Sequence, residues 1–414
     1  MSTTQDASAG PRPAATGPPG RPAAPARRPA RGTLLGLRVE QMISWEVAAA
    51  AVLAARHYGS DPLLYAAAGG TAVVLVLTLV RRQGRWLYQW LGLRLAYRGR
   101  RQPVPVTDGP DSDGRLAPVR ALVPALAVGS VTGRRSQPIG VLRDGDGWVA
   151  VLDLAGTDGL LPRPPDARTV PLGPLVAALS TEDIQLTALQ LVVHTVPARS
   201  AAQPAQPPSP PGGPENPPAL QAGWLALRIS AATALDGAGR AAGTGKAGLD
   251  RVQRVLRRAV DRAVETLHGL GVAAHPLDED GLRAALGLAT AGRPATPGGP
   301  TEPATEDWTG WQCAGAGHTS YAVREWPGAG LAPLLGALAT VPAQVVTLSV
   351  TVNTSRTEPA LSGLIRITEP TIGAARQAGD ITAAAVAAGG GRLVRLDGQQ
   401  AGAVLATLPL GAVR

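Results

Sequence analysis

The longest unbroken apolar run in the chain is Pro62 to Val80, PLLYAAAGGTAVVLVLTLV, nineteen residues without a charge. At ~1.5 Å rise per residue it nearly spans a hydrocarbon core of ~30 Å, so the run predicts a transmembrane helix. A second apolar segment precedes it. Its uncharged stretch between Glu46 and Arg56 holds nine residues, so a spanning helix has to begin near Leu34 or Leu37, with Glu46 well inside it. A carboxylate at a helix centre costs about 2.5 kcal/mol or more on insertion scales, so Glu46 is expected to meet a partner or carry a proton. An interfacial helix is the alternative for this segment. After the second span comes GRWLYQWLGLRLAYRGRR, where Trp86, Leu87, Trp90, Leu91 and Tyr97 fall near one helical face among arginines. That pattern predicts a basic amphipathic helix at headgroup level, with Arg85, Trp86, Trp90 and Arg94 as candidate membrane-interface residues. A helix packed on its own soluble domain fits the pattern equally well.

Beyond residue 101 the periodicity changes to short alternating runs. IGVLRDGDGWVAVLDL, Ile139 to Leu154, reads as a hairpin turning at Asp144-Gly145-Asp146-Gly147. Then come a short helix LGPLVAAL from Leu172, the strand LTALQLVVHTV, the strand WLALRIS, a helix from Leu249 to His268, a short strand GVAAHPLD and a helix from Glu279. The Leu249–His268 helix sets Leu249, Val252, Leu256, Val260, Ala263 and Leu267 at helical spacing and its arginines mostly opposite. The same order returns from Tyr321: LAPLLGAL, VVTLSVTVN, LSGLIRIT and GGGRLVRLDGQQAGAVLATL, with Leu172/Leu331, Ile229/Ile367 and Asp278/Asp397 in register within each block. The expected architecture is a membrane-anchored α/β chain. Residues 1–33 form a disordered tail, 34–101 the transmembrane hairpin and basic helix, and 102–414 a cytoplasmic α+β domain. That domain has two similar β-α-β-β-α-β-like halves, 136–290 (with a Pro-rich insertion at 200–218) and 305–414.

Charge changes the picture because it is unevenly placed. The net +9 arises in residues 1–101, which hold 14 Lys+Arg against 4 Asp+Glu, whereas residues 102–414 hold 25 against 26. The soluble part therefore lacks the basic surplus that nucleic-acid binding requires. Arginines flank the hairpin on both outer sides while its turn offers Arg56 against Asp61, so the positive-inside rule places both termini in the cytoplasm of a multi-pass protein in the cell membrane. The absence of Phe and the abundance of Ala, Gly and Pro reflect high-GC coding. The tail is too poor in apolar surface to fold, and the spans start too late for a signal peptide.

Candidate chemistry is sparse. The lone cysteine, Cys313, excludes a disulfide framework and any multi-thiolate metal site. Cys313 and His318 lie five apart and would make a Cys-His nucleophile pair, although a buried cysteine and a loop histidine explain them more simply. Gly245-Lys246 is followed by Ala247, and Arg240 stands where a phosphate loop has its first Gly, so the amide cradle and the magnesium ligand are missing. Asp278, Glu279 and Asp280 sit where a helix starts, and capping accounts for them. Trp224, Trp308, Trp311 and Trp326 read as core or interface anchors rather than a stacking platform. His57, His194, His268 and His275 show no metal-ligand spacing. Catalytic, cofactor and metal residues are therefore expected to be none.

The late hairpin with Glu46 after Trp45, the basic-aromatic GRWLYQWLGLRLAYR, GVLRDGDGWVAVLDL and the later WTGWQCAGAGHTSYAVREWP together resemble the EccE component of actinobacterial type VII (ESX) secretion systems. The resemblance runs from about residue 34 and rests on aromatic, Gly and Pro placements. It implies a non-catalytic membrane subunit of the secretion machine, supporting assembly and protein export beside EccB-, EccC- and EccD-like partners, with the ATPase belonging to EccC. The Pro-rich insertion and the long tail depart from the family. Two other readings stay open: a membrane-tethered regulator that binds a small ligand, and a membrane-anchored Cys/His-dependent enzyme.

Overall fold

The computed structural model describes residues 33–34, 37–82, 85–100, 114–145, 147–154, 170–181, 184–197, 220–231, 246–291, 303–328, 330–354 and 360–411. The expected tail, the acidic loop at 108–113, the Pro-rich insertion and the Arg240–Gly245 loop lie outside the described residues, as does the side chain of Arg85. The chain divides into two compact units, residues 1–90 and 91–414.

The first unit is built on two helices, α1 (Val39–Tyr58) and α2 (Asp61–Leu79), joined by Gly59-Ser60. With Met42, Ser44 and Leu77 flanking them, the positions withdrawn from the surface include Gln41, Trp45, Ala48, Val52 and Ala55 on α1 and Leu64, Ala67, Thr71, Val74 and Thr78 on α2. Their spacing alternates between three and four residues, which is the heptad seam of a tightly paired helix couple. Polar groups cross that seam. Gln41 Nε2 donates to the Thr78 carbonyl at 2.8 Å, Trp45 Nε1 to Thr78 Oγ1 at 2.8 Å, and Thr71 Oγ1 to the Ala48 carbonyl at 3.3 Å. Among the described helices, α2 alone is long and apolar enough to cross a membrane. Two spanning helices were expected; α1 is one residue longer than α2, and Glu40, Glu46 and Arg56 interrupt its apolar run.

The second unit is α+β, with one twelve-stranded sheet whose strand pairings among the described residues are all antiparallel. Its strands are β1 (Ala127–Thr132), β2 (Pro138–Asp144), β3 (Gly147–Asp153), β4 (Ala188–Val196), β5 (Leu220–Ser230), β6 (His275–Pro276), β7 (Thr305–Glu306), β8 (Trp311–Cys313), β9 (Ala316–Glu325), β10 (Val345–Asn353), β11 (Ala360–Glu369) and β12 (Arg392–Arg395). The spatial order is β7-β8-β9-β11-β10-β4-β5-β3-β2-β1, with β6 on β3 and β12 on β9. Read outward from the central β4–β10 pair, the two sides have the same connectivity. At that junction Leu191 faces Val350, and these two residues are also equivalent when Leu172 is set on Leu331, so an approximate two-fold axis passes between them. β1 begins before residue 136, where the first half was expected to start. Its sequence, AVGSVT, alternates too weakly to announce a strand.

Helices cover both faces. One face carries α5 (Leu172–Leu179), α6 (Lys246–Gly269), α8 (Leu331–Leu338) and α9 (Ile372–Ala388) over Leu189, Leu191, Leu225, Leu227, Ile365 and Ile367. The other carries α4 (Ala117–Leu122), α7 (Glu279–Ala291) and α10 (Gln400–Ala406), with Val192, Trp224, Leu282, Leu286 and Leu408 in its core. Burying one such Leu or Ile contributes roughly 1.5–3 kcal/mol, so the sheet is stabilised from both sides. The hairpins β2–β3 and β8–β9 turn through positive φ, at Gly145 (59°) and at Ala314 (49°) with Gly315 (71°). Such turns match the twist of the strands they join.

Candidate functional site

The residues with functional expectations fall into two groups, those of the helical unit and those of the sheet. Glu46 is exposed and lies off the seam that pairs α1 with α2. Around the outside of the same helices Val47 is 65%, Leu53 67% and Val73 58% exposed. The helix pair therefore has hydrogen bonds inside and large apolar side chains outside, the reverse of a water-soluble hairpin.

Trp86 is half-buried, and the Arg81 guanidinium lies 3.9 Å from its ring centroid, a cation–π contact. Trp90 is also half-buried. Helix α3 (Leu87–Arg100) brings Arg94 and Tyr97 into the second unit. The Tyr97 ring meets Trp308 edge-on at 5.2 Å, its hydroxyl donates to the Glu306 carbonyl at 3.3 Å, and Arg94 lies 5.7 Å from the Trp308 ring. The end of α3 is thus held to the sheet domain by Trp308, one of the tryptophans expected to be core or interface anchors.

The enzymatic candidates are each engaged in structure. Cys313 is 2% exposed in an apolar cluster with Ala304, Trp311 and Val404. His318 is fully buried, with Nδ1 hydrogen-bonded to Thr368 Oγ1 at 3.0 Å. Burial, and then the charge of Arg366, hold its ring well below the usual imidazole range, so it stays neutral. Asp278 Oδ1 accepts from the Gly281 amide at 2.8 Å and caps α7. Glu279 pairs with Arg283 at 2.5 Å, and Asp280 with Arg115 at 2.6 Å. Lys246 begins α6. Trp224 and Trp311 are buried, and Trp326 packs on Gly363. His57, His268 and His275 are exposed, while His194 is 2% exposed with Nδ1 3.1 Å from Thr347 Oγ1.

No curated protein matches the chain. A family model does, over residues 218–323, the stretch from β5 through α6 and α7 to β9; it is described as "Putative type VII ESX secretion system translocon, EccE". The matched stretch includes Trp308 to Val323 of the Trp308–Pro327 block on which the sequence resemblance partly rests. Over residues 218–323, about a quarter of its length, the chain is similar to the EccE family.

Proposed function

We propose that this chain is a structural membrane subunit of a type VII secretion translocon, anchored by the α1–α2 pair and presenting the two-sided α/β sheet in the cytoplasm as a docking body for its partners. The family match supports the translocon assignment. The observation that carries the anchoring is the inverted hairpin: Gln41, Trp45 and Thr71 bond across its seam while Val47, Leu53 and Val73 face outward. In hydrocarbon, interhelical hydrogen bonds and small seam residues hold helices together, whereas in water the exposed apolar side chains would drive aggregation. Both helices cross in this reading, α1 through pairing with the more apolar α2, and both termini face the cytoplasm. The sheet domain acts by binding partners rather than by catalysis, with Cys313 and His318 sealed in its core. Trp86 on Arg81, and Trp90, set the headgroup level.

Glu46 points away from α2, so the neighbouring span gives it no donor. A helix of another subunit, of the EccB, EccC or EccD kind, satisfies it. The test is co-purification from detergent-solubilised membranes at matched expression. The native chain is expected to recover its partner subunits, and Glu46→Leu to insert normally but recover them several-fold less. A native chain that extracts without detergent and recovers no membrane partner would refute the assignment. Unchanged recovery by Glu46→Leu would place Glu46 at the headgroup boundary instead.

A further inference from the structure

Arg228 and Arg366 occupy equivalent places in the two halves. Arg228 pairs across strands with Ala188 and Val149, and Arg366 with Thr347 and Ser320. In the first half the neighbouring row is Asp144–Gly147–Ser230, and the Asp144 carboxylate lies 3.6 Å from the Arg228 guanidinium. In the second half the corresponding row is Trp311–His318–Thr368. An indole replaces the counter-charge, and an imidazole replaces the glycine over which the first guanidinium lies.

Arg366 is nevertheless fully buried. Its Nη2 donates to the Ala289 carbonyl on α7 and to Thr347 Oγ1 at 3.3 Å. Among the described residues, Nε and Nη1 of Arg366 have no hydrogen-bond partner, nor have Nε2 of His194 and Nε2 of His318, both buried rings within electrostatic reach of the same guanidinium. Desolvation pulls Arg366 down to about 9, which still leaves it cationic at neutral pH. A buried cation with unsatisfied donors is costly unless a counter-charge meets it. With Nδ1 of each ring facing a threonine hydroxyl, the Nε2–H tautomer makes both rings further donors. Unsatisfied donors thus gather around Arg366, and among the described residues Trp311 stands at the row position where Asp144 supplies the negative charge in the sister half.

We infer that the space bounded by Arg366, His194 and His318 is a binding site for one small anion of the halide class, which takes the place that Asp144 fills in the first half. The surrounding side chains are almost completely buried, so the occupant is small, and a nucleotide or peptide carboxylate is excluded by enclosure. The anion locks α7, through Ala289, to the second half of the sheet.

The experiment uses the full chain in detergent, with thermal unfolding followed in sodium chloride and in sodium gluconate at constant ionic strength. Chloride is expected to raise the midpoint by about 4 °C once it exceeds its dissociation constant a hundredfold, and Arg366→Met to abolish the difference between the salts. Equal midpoints in the two salts for the native chain overturn the site, as does a chloride response that persists in Arg366→Met. Should that variant fail to fold, crystals of the native protein soaked in bromide decide the matter. An anomalous peak within hydrogen-bond distance of Arg366 and the two imidazoles supports the site, and an ordered water there, with no bromide, overturns it.

Discussion

The two halves of the sheet domain share connectivity and differ in how they treat equivalent arginines, Arg228 partly buried and Arg366 fully buried. In the first half Arg228 has Asp144 beside it, bonds the Leu410 carbonyl at 3.2 Å, and lies over Gly147, whose Cβ would meet the guanidinium at 2.1 Å if one existed. In the second half Arg366 keeps the reach to a carbonyl, that of Ala289, and loses the carboxylate. Each arginine bonds a carbonyl of the other half: Leu410 follows α10, and Ala289 belongs to α7. The halves are thus mutually latched, and their charge balance has diverged while the latch has persisted. Duplication preserves the geometry that the backbone dictates, and side chains beside it are free to change the electrostatics.

The sharpest way to break this comparison is to remove the carboxylate that distinguishes the first half. Asp144→Ala leaves Arg228 buried without its counter-charge and is expected to cost about 4 kcal/mol, by analogy with other severed buried pairs. Denaturant unfolding of the full chain measures it. A loss below about 1 kcal/mol would mean that Arg228 needs no internal partner, and the contrast with Arg366 would dissolve.

Where the halves agree, they should respond alike. Leu179 closes α5 and Leu338 closes α8, and both are 1% exposed. Truncating either to Ala creates a cavity costing about 3 kcal/mol, and the two losses are expected to match within about 1 kcal/mol. A large disparity would show that the equivalence ends at the backbone.

Much of this duplication was readable in advance, because apolar spacing repeats between LGPLVAAL and LAPLLGAL and between WLALRIS and LSGLIRIT. What joins the halves was not readable. The β4–β10 pairing depends on contacts between distant segments, and no local pattern specifies which edges meet. Arg366 was hidden for a related reason: in LSGLIRIT an arginine between isoleucines reads as a solvent-facing alternation, and only α7 on that face buries it. His194 was likewise one polar position in a strand until Thr347 came opposite it. The weaker α1 was legible as a helix, but its seam with α2 rests on Gln41, Trp45 and Ala48, which mark no obvious stripe.

Acid sensitivity should centre on the junction where His194 of the first half pairs with Thr347 of the second. Burial, reinforced by Arg366, pulls His194 down to about 3, against an ordinary value near 6.5. Above about pH 6.5 the ring is neutral in both folded and unfolded chains and contributes nothing to the pH dependence. As pH falls below that value the unfolded chain takes up a proton that the folded chain refuses, so stability declines down toward pH 3. His194→Gln is expected to recover about 2 kcal/mol of that decline at pH 5. The comparison is between pH 7 and pH 5 unfolding of both proteins, and an unchanged difference would remove His194 from the account.

The smallest expected effect concerns the contact by which α3 touches one half and not the other. Trp308 lies in the β7–β8 turn of the second half, where Tyr97 meets it edge-on. The corresponding β1–β2 turn of the first half contains Gly133 and Arg134 and offers no such ring. Tyr97→Phe keeps the aromatic contact and removes only the 3.3 Å bond to the Glu306 carbonyl, so it should cost about 1 kcal/mol or less. Trp308→Ala removes the platform itself, and backbone amides at the end of α3 should then exchange faster while those of β4 and β10 keep their protection. If exchange accelerates through the central strands as well, Trp308 is part of the fold of the second half. If it accelerates in α3 alone, the asymmetry between the halves is local: Trp308 clamps the end of α3, and the equivalent β1–β2 turn carries no such ring.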